Sequence, residues 1–555
     1  MKARSFLARA TLVGACALAA LDAAAGEMII NNVDRPGVGF NDKTPAAPLG
    51  GNPGVTVGEQ RLFAFRHAMD LWGARLKSDV PVVVQGSFGA RPCDATSGVL
   101  GSAGALQIFA NFPGAKVADT WYSAAVANAM AGVDLTPGKP DPGLLAEPFN
   151  DDIIARFNGN IGTPNCLAGS AWYYGLDNKP PAGTIDFLNV FMHELAHGLG
   201  FQNFISEDDG LPPAYPDSPY PDIYTRFTKD TTLGKTWDQL TPAEIVSSAL
   251  RDTKVAWVGE NVRAAVPTTL EPFSKLTSTV PAGFSKDFLF AGYGPAARVG
   301  DFGGQVVLVN DGVGAGNAAF DGCEPIPGTQ LVGKIALIIR GTCTFAVKTY
   351  NAQLAGATGV IIFNNAATGY PGLGGGDPRI TIPTIGLTRD DGIALAVGSG
   401  SGVVALAPDL TQPRFGADAE GNALLYAPTT FSPGSSISHF DTRAFPNLLM
   451  EPFITGTLQA ATNVDLTDLL LADIGWERNT TAGAYMLFGC QTDLPQTLPG
   501  YGSVQTGVFA CANSGISTHG QFVSCVSQLA NGLNANGLIS GAQAATLKYC
   551  AAKRP

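Results

Sequence analysis

Apolar residues recur at intervals of three and four from Leu62 through Phe65, Met69 and Trp72 to Leu76, which predicts one buried face of a helix. Thr56, with Glu59 three residues later, supplies a capping box at its start. The β-branched run over residues 80–88 predicts a strand, so a helix followed by a strand opens an α+β domain. His67 falls on that first helix and reads as a surface or core-edge residue, not a ligand. A second helix is expected from a cap at Thr184 to about Leu199, burying Ile185, Leu188, Met192, Leu195 and Leu199. At about 100° per residue, His193, Glu194 and His197 share its opposite side, facing a cleft. Between about 270 and 408 the pattern becomes β-α-β: residues 334–339 predict a buried strand, Phe345 to Leu354 a helix, and Gly359 to Phe363 the next strand. Residues 448–476 resume the character of the first domain, with Asp465 as the expected cap of a short helix ending at Gly475-Trp476. Two more helices are predicted at 517–529 and 542–551, where His519 reads as a cap or surface residue.

Composition narrows the class of function. A chain of 555 residues, 45% hydrophobic and 14% charged, carries enough apolar material for several cores and is neither fibrous nor disordered. Its net charge of -12 offers no footprint for nucleic acid or anionic lipid. Residues 1–25 read as a signal peptide: Lys2, Arg4 and Arg9 precede an apolar stretch and a small-residue cleavage site at Ala23-Ala24-Ala25. No later apolar run reaches the roughly 18 residues of a membrane span. The expectation is a secreted or periplasmic protein of undetermined oligomeric state. Loss of Cys16 with the signal leaves Cys93, Cys166, Cys323, Cys343, Cys490, Cys511, Cys525 and Cys550. An even number in an exported chain suggests disulfides. Their clustering favours Cys93 with Cys166, Cys323 with Cys343, and two bridges among the last four, including a clamp of the tail helices by Cys525 and Cys550. Calcium ligation by Asp208, Asp209, Asp217 and Asp222 lacks the D-x-D-x-D-G spacing that would support it.

The chemistry concentrates in His193-Glu194-Leu-Ala-His197, an H-E-x-x-H sequence. Two imidazoles four residues apart on a helix can reach one zinc, and the intervening Glu is placed to take a proton from water. Gly200 extends the motif to H-E-x-x-H-x-x-G, which resembles the metzincin zinc peptidases. Their usual third ligand would fall at Asn203, a poor zinc ligand. His439 stands eleven residues before Met450 (450 − 439 = 11), in a segment resembling the metzincin Met-turn. The leishmanolysin-like branch likewise places its third His after a long insertion. This resemblance implies one catalytic zinc held by His193, His197 and His439, with Glu194 as base and Met450 beneath the metal. A gluzincin-like alternative would take a downstream acid such as Glu244 as third ligand. The pattern Gly333-Lys334, Arg340-Gly341-x-Cys343-x-Phe345, Lys348, Ala352, Gly356-Ala357 and Gly359-Val-Ile-Ile-Phe-Asn364 resembles the protease-associated (PA) domain.

The fold expectation is therefore α+β: a metzincin-like catalytic domain, an inserted mixed α/β PA domain, and a small helical, disulfide-stapled C-terminal module. The expected divisions are a signal at 1–25, catalytic parts at 26–265 and 410–478, the PA insertion at 270–408, and the module at 479–555. The two catalytic parts must fold together around the metal, which links metal affinity to closure. The expected activity is zinc-dependent endoproteolysis of protein or peptide substrates. Two rivals remain: a non-catalytic secreted binding protein with a vestigial or structural zinc site, and an exported di-zinc aminopeptidase, since such enzymes also carry PA domains. No Cys lies between Gly26 and Cys93, so a thiolate-to-zinc latency switch has no candidate.

Overall fold

The structure, a computed structural model, describes residues 26–552 apart from 137–138, 141–147, 150, 182, 214–218, 313–318, 375–378, 456 and short stretches between 480 and 518. The expected signal peptide with Cys16, Asp217, and the side chain of Cys490 lie outside the described residues. Two compact units emerge, one formed by residues 1–226 with 454–555 and the other by 227–453.

The first unit is built on a four-stranded sheet in the order Met28–Asn32, Val82–Gly89, Ile153–Asn158, Gly101–Ala105. The first three strands are parallel, while Gly101–Ala105 runs antiparallel at the edge. The Val57–Gly73 helix starts as its sequence predicts: Thr56 accepts from the Glu59 amide, and the Glu59 carboxylate returns the bond to Thr56 N–H. His67 is buried on this helix. The Phe187–Gly198 helix packs on it through Phe65 and Phe191, whose rings stack at 3.8 Å, with Phe157 edge-on to both.

Three local expectations need correction in this unit. The second helix is capped by Asp186, not Thr184, because Thr184–Asp186 first pairs as a parallel strand with Ala171–Tyr173 and so leaves Ile185 outside the helix. The short helix runs over Thr467–Ile474 with Leu466, not Asp465, at its cap position. Asp465 has a positive φ of 47°, and its carboxylate accepts from Leu466 N and Thr467 Oγ1 one step ahead of the helix. The tail is mixed, not simply helical: Ala484–Leu487 pairs with Cys490–Pro495, and Thr497–Leu498 with Gly502–Ser503, before the His519–Ala535 and Gly541–Ala552 helices. Leu494, Val504, Val526 and Leu547 share the tail's own apolar core.

Cys93–Cys166 and Cys323–Cys343 are bridged as their clustering suggests. Cys525 pairs with Cys511, so the expected Cys525–Cys550 clamp is wrong. Cys550 is disulfide-bonded but sits fully buried in the tail core, whereas Cys525 lies at that core's margin.

The second unit contains an eight-stranded mixed sheet. At its centre Gly303–Leu308, Ile335–Ile339, Gly359–Phe363 and Thr384–Leu387 run parallel, and antiparallel strands complete both sides. Alternation along these apolar strands sends Leu337, Ile361 and Ile385 to one core, and Ile338, Val360 and Ile362 to another. The Phe345–Leu354 helix adds Ala346 and Ala352 to the second core, and the Arg389–Ala396 helix adds Leu395 to the first. Covering both faces is why these strands read as continuous apolar runs. A smaller sheet of the same unit joins Lys235–Thr236, Thr228–Asp230, Val255–Trp257 and Ala423–Leu424. No helix among the described residues is long and apolar enough to cross a membrane.

Candidate metal centre

The Phe187–Gly198 helix is anchored at both ends by groups distant in sequence. The Asp186 carboxylate accepts from the Leu188 amide at 2.9 Å, satisfying one orphan donor of the first turn. Trp72 Nε1 donates to the Met192 carbonyl at 3.0 Å, and Trp476 Nε1 to the Leu199 carbonyl at 2.8 Å. After the helix the chain turns at Gly200, with φ 121°. A Cβ there would stand 2.5 Å from Ile474 Cδ1, so both the conformation and the space require glycine.

His193, Glu194 and His197 are all buried, although they occupy the polar side of the helix. His197 Nδ1 donates to the Phe201 carbonyl at 2.7 Å, which fixes the tautomer and leaves Nε2 with its lone pair. Burial pushes this imidazole down to about 4, partly opposed by the bond to Phe201, so the ring is neutral at physiological pH. His197 Nε2 lies 3.2 Å from His193 Nε2. Burial also pushes the Glu194 carboxyl up to about 8, against a hydrogen bond from the Ala103 backbone and the Arg91 guanidinium, which pull it down. The edge strand Gly101–Ala105 passes so close that a Cβ on Gly101 would meet Glu194 Oε1 at 2.9 Å.

His439 is buried in the other compact unit. Its Nδ1 donates to the Ser435 carbonyl at 2.7 Å, again leaving Nε2 available. Its own carbonyl accepts from Tyr426 N at 2.9 Å, and Phe440 N donates to the carbonyl of the buried Met450 at 2.8 Å.

The His193–His197 pair fits zinc. Two nitrogens on a tetrahedral zinc at about 2.0–2.1 Å stand about 3.3–3.4 Å apart, close to the separation of the His193 and His197 Nε2 atoms. His197, neutral and with its Nδ1–H held by a carbonyl, has the form in which His binds a metal.

The other sequence candidates have structural employment. Asn203 bonds the backbone of Ile205 and the Glu207 carboxylate through its side-chain amide. Glu244 is exposed and closes the capping box of the Pro242–Ser248 helix with Thr241, so it is not the alternative ligand. Asp222 is buried and accepts from Phe204 N, Thr225 N and Thr225 Oγ1, while the exposed Asp209 turns its loop by accepting from Leu211 N. These aspartates, with Asp208, form no metal-holding group among the described residues. His519 is exposed at the start of its helix, with Nε2 3.3 Å from the Ala552 carbonyl.

Sequence reasoning missed Arg91, Gly101 and Ala103, which set the surroundings of Glu194. They lie in a loop and a Gly/Ala strand with no motif, and only strand pairing brings them to the helix. The residue signal was limited to the unusual smallness of Gly101-Ser-Ala-Gly-Ala105.

Residues 279–395 match the PA domain family model. An aminopeptidase of Pseudomonas aeruginosa is 40% identical over 129 residues, which are 21% of this chain and 24% of that enzyme. Leucine aminopeptidase 2 of Trichophyton rubrum is 40% identical over 72 residues, 13% of this chain and 14% of its own. The chain thus spans about a quarter or less of the length of these curated relatives. A zinc aminopeptidase from Bacillus subtilis shares 25% identity over 27% of this chain and 37% of its own, at a TM-score of 0.19 that carries no argument about the fold. The PA match does not extend to His193, Glu194, His197 or His439.

Proposed function

We propose that this chain is an exported zinc endopeptidase of metzincin type, with His193, His197 and His439 as metal ligands, Glu194 as general base and Met450 as the Met-turn residue. The observation that carries the reading is the 3.2 Å approach of the His193 and His197 Nε2 atoms beside a buried carboxylate on the same helix. When bound, zinc would polarise the scissile carbonyl and lower the pKa of the attacking water towards about 7. Glu194 accepts the proton of that water and delivers it to the departing amine. Gly101–Ala105 is the last strand of its sheet, which leaves one edge for an extended peptide to pair with beside Glu194.

The aminopeptidase relatives favour a second reading, removal of residues from a free N-terminus. Hydrolysis of internally quenched peptides with blocked N-termini, compared with leucine p-nitroanilide, separates the two. Cleavage of blocked peptides, lost with 1,10-phenanthroline and restored by zinc, is the expected result. Cleavage of the anilide alone moves the assignment to an exopeptidase. Absence of both, with casein also untouched by zinc-loaded protein, replaces it by the binding-protein alternative.

A further inference from the structure

The PA module holds a second group of acids that peptide hydrolysis does not use. Asp311, Asp321 and Glu324 each present one carboxylate oxygen, and these atoms lie within 4.8 Å of one another. Backbone turns assemble them. Gly322, with φ 67°, reverses the chain after Asp321, and the Glu324 amide then donates to Asp311 Oδ2 at 3.2 Å. Asp321 is fully buried, its Oδ1 accepting from Cys323 N at 3.3 Å and its Oδ2 from Thr342 N at 3.4 Å.

One feature separates this group from an ordinary cluster of surface acids. Asp311 is only 7% exposed, and its Oδ1 has no hydrogen-bond partner among the described residues. A carboxylate oxygen removed from water without a donor is strongly destabilising unless a cation approaches it. Lys348 is buried beside the group but directs its Nζ to the Asp321 carbonyl and to Cys323 Sγ, remaining 4.0 Å from Asp321 Oδ2.

We propose that Asp311, Asp321 and Glu324 form a calcium site within the PA module. An all-oxygen, carboxylate-rich set selects a hard cation, and Cys323 is held in a disulfide and so offers no thiolate to a softer metal. With all three oxygens within 4.8 Å of one another, they are close enough to share one ion through Ca–O bonds of about 2.3–2.6 Å. Magnesium dehydrates reluctantly and keeps several waters, so a set of protein carboxylates suits calcium better. The ion ties Asp311 to the 321–324 turn, and through the Asp321–Thr342 bond to the far side of the Cys323–Cys343 bridge. This proposal stands independently of the peptidase reading.

The test is calorimetric titration of the full-length, zinc-loaded protein with calcium chloride after removal of bound calcium on a chelating resin. One saturable site per chain is expected. Asp311→Asn should weaken it by about ten-fold or more, and Glu324→Gln, at the partly exposed edge of the group, should weaken it without disturbing the fold. If Asp311→Asn does not fold, wild type and Glu324→Gln decide the matter. No saturable calcium binding by wild type, unchanged affinity in the folded variants, or equal displacement by equimolar magnesium would each overturn the assignment.

Discussion

The indole N–H of Trp476 donates to the carbonyl of Leu199, tying the segment after the Thr467–Ile474 helix to the end of the helix that carries His193 and His197. Trp72 does the same from the first helix, at Met192. Both indoles are buried, so each bond satisfies a carbonyl that water does not reach. Trp476→Phe should lower unfolding free energy by about 1–3 kcal/mol, the cost of an orphaned buried acceptor, and Trp72→Phe by about 0.5–1.5 kcal/mol, since the Met192 carbonyl keeps its bond within the helix. Urea unfolding of the variants measures this, and losses below about 0.5 kcal/mol would show that the bonds do not hold the helix.

Glu194→Gln keeps the shape of the side chain and removes the base. Peptide hydrolysis should fall by about 10²–10⁴-fold while zinc content by elemental analysis stays the same. Full activity in that variant would end the general-base assignment. Gly101→Ala approaches the same carboxylate from the edge strand, with Oε1 2.9 Å and Cγ 3.0 Å from the new methyl group. Moving Glu194 by a few tenths of an ångström should lower kcat by about ten-fold with zinc retained.

His439→Ala should weaken zinc binding far more than Glu244→Ala, because Glu244 is committed to its helix cap. Competition with a chromogenic zinc chelator reads the difference. Equal affinities in wild type and His439→Ala would remove His439 from the ligand set and leave the H-E-x-x-H pair in place.

Asp152 is buried where it accepts from Val83 N and Asn128 Nδ2, both at 2.8 Å. Burial pushes its carboxyl up to about 7, with Asp134 and Asp151 adding to the rise and those two hydrogen bonds opposing it. Below the unfolded value of 3.8 both states are protonated and no penalty exists. As pH climbs from there to about 7, the unfolded chain releases the proton while the folded chain keeps it, so this group's favourable contribution is lost, by a few kcal/mol in total. Asp152→Asn should therefore gain on wild type in unfolding free energy between about pH 4.5 and 7.5. A difference that is flat with pH would count against the shift.

Local signals reached far into this fold. The Thr56–Glu59 box, the Phe345–Leu354 helix and the Gly359–Phe363 strand stand where periodicity and capping chemistry put them, because each depends on residues within one or two turns. The H-E-x-x-H spacing belongs to the same class, since a helix brings residues four apart to one side wherever it sits. The failures are non-local. Thr184 lost the cap to Asp186 because the Ala171–Tyr173 strand claims the residues before the helix. Cys525 took Cys511 over Cys550 because side-chain direction in the tail core, not clustering along the chain, selects the partner.

By itself the sequence determined the helix that presents His193, Glu194 and His197, the β-α-β character of the PA module, and the shortage of histidines that singled out His439. Tertiary structure alone decided the burial of Glu194 beneath Gly101, the separation between the nitrogens of His193 and His197, and the gathering of Asp311, Asp321 and Glu324 around one unpartnered oxygen. The physical reason is range: capping and periodicity act within a few residues, whereas desolvation and ligand geometry depend on which distant segments are packed against one another.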